Sequence, residues 1–153
     1  MSVHDRLEHL GIVLPHAAAP AANYVPGVVV HGMLYISGQI PFDEAGSLIR
    51  GRVGDDMTLK EGAEAARRCG IGLLAQINAV LGTLNRVNRI VKLGVFVNST
   101  ADFTDQPKVA NGASDLMVEV FGEKGRHARS AVGVAALPLG VAVEVDAIIA
   151  VDA

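Results

Sequence analysis

Between Thr58 and Gly82 the chain carries apolar and small residues at Ala63, Ala66, Gly70, Leu73, Leu74, Ile77, Val80 and Leu81. That spacing predicts a long helix with one apolar stripe. Thr58 and Glu61 have the spacing of a capping box at its start, and Gly82 supplies the stop. A helix of this length with a single apolar stripe must lay it on something of matching length. The remaining sequence has to provide that surface, and what it offers is a set of short β-branched runs.

Two of these runs, Val28–Val30 and Met33–Ile36, flank the dipeptide His31-Gly32 and read as a tight hairpin. A third short strand is expected near Leu48–Val53, after the turn-forming Asp43-Glu44-Ala45-Gly46. Residues 89–97 read as a central strand, followed by a polar loop over 98–106. Pro107 then fits the first turn of a second helix ending at Phe121, with Leu116, Val120 and Phe121 inward. After a loop over 122–127, two final strands, 129–134 and 141–151, are linked by the turn Leu137-Pro138-Leu139-Gly140. At the other end, residues 3–10 predict a short helix with Leu7 and Leu10 inward, and Pro15 and residues 17–23 form a linker. The order β-β-(β)-α-β-α-β-β makes an α+β domain: a mixed sheet with two helices packed on one face. Its other face would be rich in Val and Ile, so closed association of copies is expected.

Composition excludes more than it assigns. The 153 residues suit one domain, the net charge is −3, and no basic run exists to track a phosphate backbone, so nucleic acid has no case here. Cys69 is the sole cysteine, which rules out an internal disulfide and a thiolate cluster; mid-helix among alanines it reads as a small core residue. The five histidines have no metal-ligand spacing, so no metal is expected. No dinucleotide, P-loop or nucleophile-elbow motif is present, and Ser37 and Ser130 have no adjacent base, so no cofactor is expected either. Without a signal core or a run of membrane-spanning length, the expectation is a cytoplasmic protein with no membrane partner.

Three segments could carry chemistry. In His127-Ala128-Arg129-Ser130-Ala131-Val132-Gly133 an Arg opens a strand of small residues; it faces either solvent or an anion. In Val143-Glu144-Val145-Asp146 both carboxylates share one face of a strand, as a solvated edge or as part of a pocket. If 129–134 and 141–151 form a hairpin, Arg129 and Glu144 line one pocket, the first gripping a carboxylate and the second holding or deprotonating water. In Tyr35-Ile36-Ser37-Gly38-Gln39-Ile40-Pro41 the Ser-Gly pair either exposes backbone amides to an anion or merely makes a turn.

Taken in order, Tyr24, Ile36–Pro41, Val95-Phe96-Val97 before Asp102-Phe103, and Arg129-Ser130-Ala131-Val132…Leu137-Pro138…Val143-Glu144-Val145-Asp146-Ala147-Ile148 resemble the YjgF/RidA family over nearly the whole chain beyond about residue 20. The resemblance implies a chorismate-mutase-like fold in a single domain over 1–153, with 1–18 an N-terminal extension. It also implies a homotrimer with clefts between subunits, and hydrolysis of 2-aminoacrylate-type enamines, as imines, to 2-oxo acids and ammonia. By the same resemblance Arg129 and Glu144 are the catalytic pair, the first clamping the substrate carboxylate and the second positioning water. Tyr24 closes the pocket, Ser37, Gly38 and Ala131 line it, and Asn111 comes from the neighbouring subunit. The sequence departs from the family in Ala131, where many active members have Cys, in a longer 99–111 loop, and in Arg126-His127-Ala128 before the key Arg. A non-catalytic sensor of small carboxylates is the alternative that fits Ala131. The endoribonuclease label attached to L-PSP-like members is the other, and the acidic balance opposes it.

Overall fold

The computed structural model describes residues 1–19 and 22–152. It opens with a short helix α1 (Val3–His9), in which Ser2 and Asp5 cap each other's backbone. Strands β1 (Gly27–Val30) and β2 (Met33–Gln39) form the expected hairpin. Its turn residues His31 and Gly32 both have positive φ, 50° and 74°, the backbone whose twist matches antiparallel neighbours. Helix α2 (Leu59–Leu81) starts at the Thr58–Glu61 box and stops at Gly82, where φ is 81°. Strand β3 (Val87–Asn98), helix α3 (Gln106–Phe121), β4 (Ala128–Val134) and β5 (Val143–Val151) complete the chain. Pro107 does sit in the first turn of α3. Within the linker expected over 17–23, Pro20 and Ala21 lie outside the described residues.

The strands form one five-stranded sheet in the order β1-β2-β5-β3-β4. Only β3 and β4 run parallel. This corrects the closing hairpin. α3 connects β3 to β4, and a helical crossover returns the chain parallel to the strand it left. Residues 135–142 then carry it across the end of β3, where Asn98 N–H donates to Ala142 O at 2.8 Å. β5 therefore enters between β2 and β3 rather than beside β4. There β5 is paired along both edges.

No strand forms over 48–53. Arg50 makes a single bridge to Val141, and Val53 makes single bridges to Met57 and Ser99. Gly51, at φ 150°, breaks the extended run between them.

Helices α2 and α3 cover one face of the sheet. Beneath them lie Leu34 and Ile36 of β2, Ile90, Leu93, Val95 and Val97 of β3, and Val143, Val145, Ala147 and Ile149 of β5, all buried. From the helices come Ala66, Cys69, Leu73, Leu74, Ile77, Leu116 and Val120, while Phe121 is half-buried at the rim. The helices touch at Gly112, whose Cα rests on the Ala63 carbonyl where a Cβ could not fit. Val80, placed on the inward stripe by its spacing, is 38% exposed because α2 overhangs the sheet edge there, against Gly27. No helix among the described residues is long and apolar enough to cross a membrane.

Among the described residues no helix covers the opposite face. Val28, Tyr35 and Val132 on it are nearly half exposed. Register places Phe96 beside both Val132 and Glu144, in one row across this face.

Candidate functional site

Arg129 pairs with Leu93 in the β3–β4 ladder. Leu93 points into the core, so Arg129 projects on the helix-covered side, at the open edge that β4 makes. Its Nη1 donates to Asn111 Oδ1 at 2.8 Å and to Ser114 Oγ at 3.0 Å, both on α3. Its Nε and Nη2 donate to nothing among the described residues. Ser114 Oγ also lies 2.8 Å from His127 Nε2, and His127 Nδ1 lies 2.6 Å from Gly125 O. A carbonyl only accepts, so Nδ1 carries the proton and Nε2 accepts from the Ser114 hydroxyl. Burial and the neighbouring Arg129 charge hold the imidazole pKa below its ordinary value, against the Gly125 contact that raises it. Ser114, Val118, Arg126, His127 and Arg129 line a cleft of about 510 Å³ at this edge. Ala131, two residues on, points to the same side and is half-buried against the core.

Glu144 stands elsewhere. It lies between the buried Val143 and Val145, and therefore on the helix-free face. Between Ile36 and Gln39 the β2–β5 register slips, so that Ser37 and Gly38 together oppose Asp146, a bulge that re-aims the strand. The Glu144 carboxylate then fills the space over Gly38 where a Cβ would have been. Asp146 does the same over Gly94. Ser37 is tied by its N–H (2.9 Å) and its hydroxyl (3.3 Å) to Pro26 O. That tether brings the segment carrying the half-exposed Tyr24 toward the bulge. Burial pushes the Glu144 carboxyl pKa up, and the Asp146 charge adds to the shift. Burial also raises Asp146, opposed by the Gly94 N–H and by Lys92.

The expected residues thus fall into two groups. Arg129, Asn111 and Ala131 belong to the helix side at the β4 edge. Glu144, Gly38, Ser37 and Tyr24 belong to the open face. Arg129 and Glu144 are two strands apart and three positions apart along β3, with side chains on opposite faces. Strand geometry puts their Cα atoms about 14 Å apart, so one chain does not bring them into one pocket. Sequence reasoning missed Ser114 and His127. Their signals were spacings: Ser114 follows Asn111 by one helical turn, and His127 shares a strand side with Arg129. Cys69 stays inert in the core, its thiol pushed up by burial and donating to Val143 O at 3.4 Å. Among the described residues no cluster of His, Cys, Asp and Glu could hold a metal ion.

Residues 4–149 match the family model described as "YjgF/chorismate_mutase-like, putative endoribonuclease". Protein TCP17 of Trypanosoma cruzi is 55% identical over 148 residues, covering 96% of this chain and 92% of its own. The crystal structure of the protein Atu1372 from Agrobacterium tumefaciens superposes with a TM-score of 0.90 at 43% identity, over 98% of this chain and 94% of that one. A 2-iminobutanoate/2-iminopropanoate deaminase of Dermatophagoides farinae is 28% identical across 92% of this chain and 95% of its own.

Proposed function

The chain belongs to the YjgF/RidA (YjgF/chorismate-mutase-like) family, and from that premise we propose that it hydrolyses 2-imino acids to 2-oxo acids and ammonia, in clefts between the copies of a homotrimer. One observation carries the reading: an oriented guanidinium and a carboxylate of raised pKa, the first with a free edge and the second unpaired among the described residues, lie on opposite faces of one sheet. Each is half of a carboxylate-binding, water-activating site, and they can meet only when the open face of one copy meets the β4 edge of another. The apolar residues Val28, Tyr35 and Val132 around Glu144 favour that face as the buried one.

In such a cleft the Nε–Nη2 edge of Arg129 pairs with the substrate carboxylate through two parallel hydrogen bonds. The imine carbon, bonded to that carboxylate, is then held near Glu144. Glu144 takes a proton from water as the water oxygen bonds to the imine carbon. The proton passes to nitrogen, giving a carbinolamine; its hydroxyl then gives up its own proton, a second proton reaches nitrogen through Glu144, the C–N bond breaks, ammonia leaves and the oxygen becomes the 2-oxo group. One water is consumed and nothing is oxidised, so no cofactor is needed. A raised carboxyl pKa makes Glu144 a better base near neutral pH than an ordinary glutamate. Gly38 leaves room for that carboxylate, and Tyr24 stands at the rim.

The test is ammonia and 2-oxo acid release from freshly generated 2-iminobutanoate and 2-iminopropanoate. The wild-type chain should outpace spontaneous hydrolysis. Arg129→Ala should lower kcat/KM by roughly 100-fold or more, the scale of a lost charge-assisted pair. Glu144→Gln should lower kcat with little change in KM. No acceleration with either imine overturns the deaminase reading. Binding of 2-oxobutanoate without turnover would make the same clamp a carboxylate sensor. The endoribonuclease description of the family gains nothing from this chain's charge; salt-dependent RNA binding would be its sign.

A further inference from the structure

We propose that Ser114 and His127 are positioning residues that aim the Arg129 guanidinium, and so set the affinity of this site for carboxylates; the inference rests on the carboxylate-clamp reading above. The geometry is a continuous chain of donors and acceptors. His127 Nδ1–H donates to Gly125 O (2.6 Å), the Ser114 hydroxyl donates to Nε2 (2.8 Å), and Arg129 Nη1 donates to the Ser114 oxygen (3.0 Å). Asn111 Oδ1 receives the other hydrogen of the same Nη1 (2.8 Å). Both hydrogens of that nitrogen are committed, so rotation about the long side chain is arrested. The edge left over, Nε with Nη2, is the planar fork that fits a carboxylate.

Each member needs the one before it. A serine hydroxyl free to rotate could turn its proton toward Arg129 and repel it. His127, with its tautomer fixed by Gly125, accepts that proton and leaves the oxygen lone pairs for the guanidinium. An arginine side chain gives up about 2 kcal/mol of rotamer freedom when it is fixed. Fixing it before the ligand arrives removes that cost from binding.

The relay also requires His127 to be neutral. Arg126 and Arg129 line the cleft with it, and Arg89 of β3 donates to Arg126 O at 3.0 Å. Lys92 stands beside Ala128 on the same neighbouring strand. Ser114 and Val118 of α3, which line the cleft, carry no charge, and the acids flanking them, Asp115 and Glu119, are exposed. A proton on Nε2 would add a cation to this group and displace the serine hydroxyl from its acceptor. Affinity for carboxylates should therefore depend on pH below the ordinary histidine range, where the added cation and the loosened serine act together.

The experiment compares wild type, Ser114→Ala, Ser114→Thr and His127→Ala for 2-iminobutanoate turnover and for binding of 2-oxobutanoate by calorimetry. Arginine side-chain NMR on the same proteins follows the Arg129 guanidinium. Ser114→Ala and His127→Ala should raise KM and Kd roughly tenfold, the effect of one hydrogen bond to a charged group, with kcat within about twofold. Ser114→Thr should restore both, and the acid-side change in affinity should disappear in His127→Ala. The slowly exchanging Arg129 Nη signals should persist in wild type and Ser114→Thr and average out in Ser114→Ala. Unchanged Kd in both alanine variants while Arg129→Ala abolishes binding would overturn the relay and leave the clamp standing. If wild type neither binds nor turns over these compounds, the clamp reading fails. The NMR signals then decide the relay by themselves: averaged signals in wild type, or unchanged ones in Ser114→Ala, overturn it.

Discussion

The two faces of β5 obey different rules. Val143, Val145, Ala147, Ile149 and Val151 point under the helices and are buried, whereas Glu144, Asp146, Ile148 and Ala150 alternate with them and stay partly open. On the first face one chain satisfies its own side chains. On the second, two carboxylates of raised pKa sit among exposed valines and a tyrosine, pressed against glycines that leave room for little else. A core needs only volume and apolarity, and it tolerates many sequences. A face that holds half-buried acids and uncovered apolar groups together is not satisfied within one chain.

The largest effects should come from interchanging these rules. Ile149→Ala removes a fully buried side chain, and cavity formation should cost about 2–5 kcal/mol in denaturant unfolding. Val132→Glu, on the open face, should leave the circular dichroism spectrum intact and instead shift sedimentation toward a single copy. Equal loss of fold from both substitutions would end the distinction between the faces.

A smaller effect concerns the acids themselves. Glu144 and Asp146 have folded-state pKa values above their ordinary ones. The folded protein therefore holds more protons than the unfolded chain between the ordinary and raised values. Their contribution should fall as pH rises through that window, so the chain should gain stability as pH is lowered through it. Glu144→Gln with Asp146→Asn should flatten that slope in urea titrations at several pH values. His127 has the opposite sign. Its lowered pKa means that its contribution is present above the ordinary histidine value and is lost as pH falls through its folded one. The stability of the double variant should then rise with pH in the region below about 6.5.

The smallest belongs to the helix-covered side. Thr58→Ala removes one side of the capping box of α2, and a loss of about 1 kcal/mol in thermal unfolding is expected. The oligomeric state should not change, because the cap is remote from the open face.

The individual elements were legible because their signals are local. Thr58, Glu61 and Gly82 bound α2 by hydrogen bonding and backbone conformation within a few residues, and the His31-Gly32 turn does the same for β1 and β2. Local reasoning failed where the chain had to choose a neighbour. The Leu137–Gly140 turn looked like the tip of a hairpin, yet the eight residues before Val143 step over β3. The candidate site was legible by residue and illegible by geometry. Arg129, Glu144 and Gly38 could be singled out as residues, but not that Gly38 makes room for Glu144 or that Arg129 looks the other way.

By itself, then, the sequence determined where the capped helices and the first hairpin lie, which residues could be buried, and the family to which the chain belongs. The tertiary structure alone decided that β5 lies between β2 and β3, that Arg129 and Glu144 occupy opposite faces, and that Ser114 stands between His127 and the guanidinium. The physical reason is distance along the chain. Caps, turns and periodicity act over a few residues, whereas strand order and side-chain partnership depend on which remote surfaces bury the most apolar area while pairing every strand edge they can.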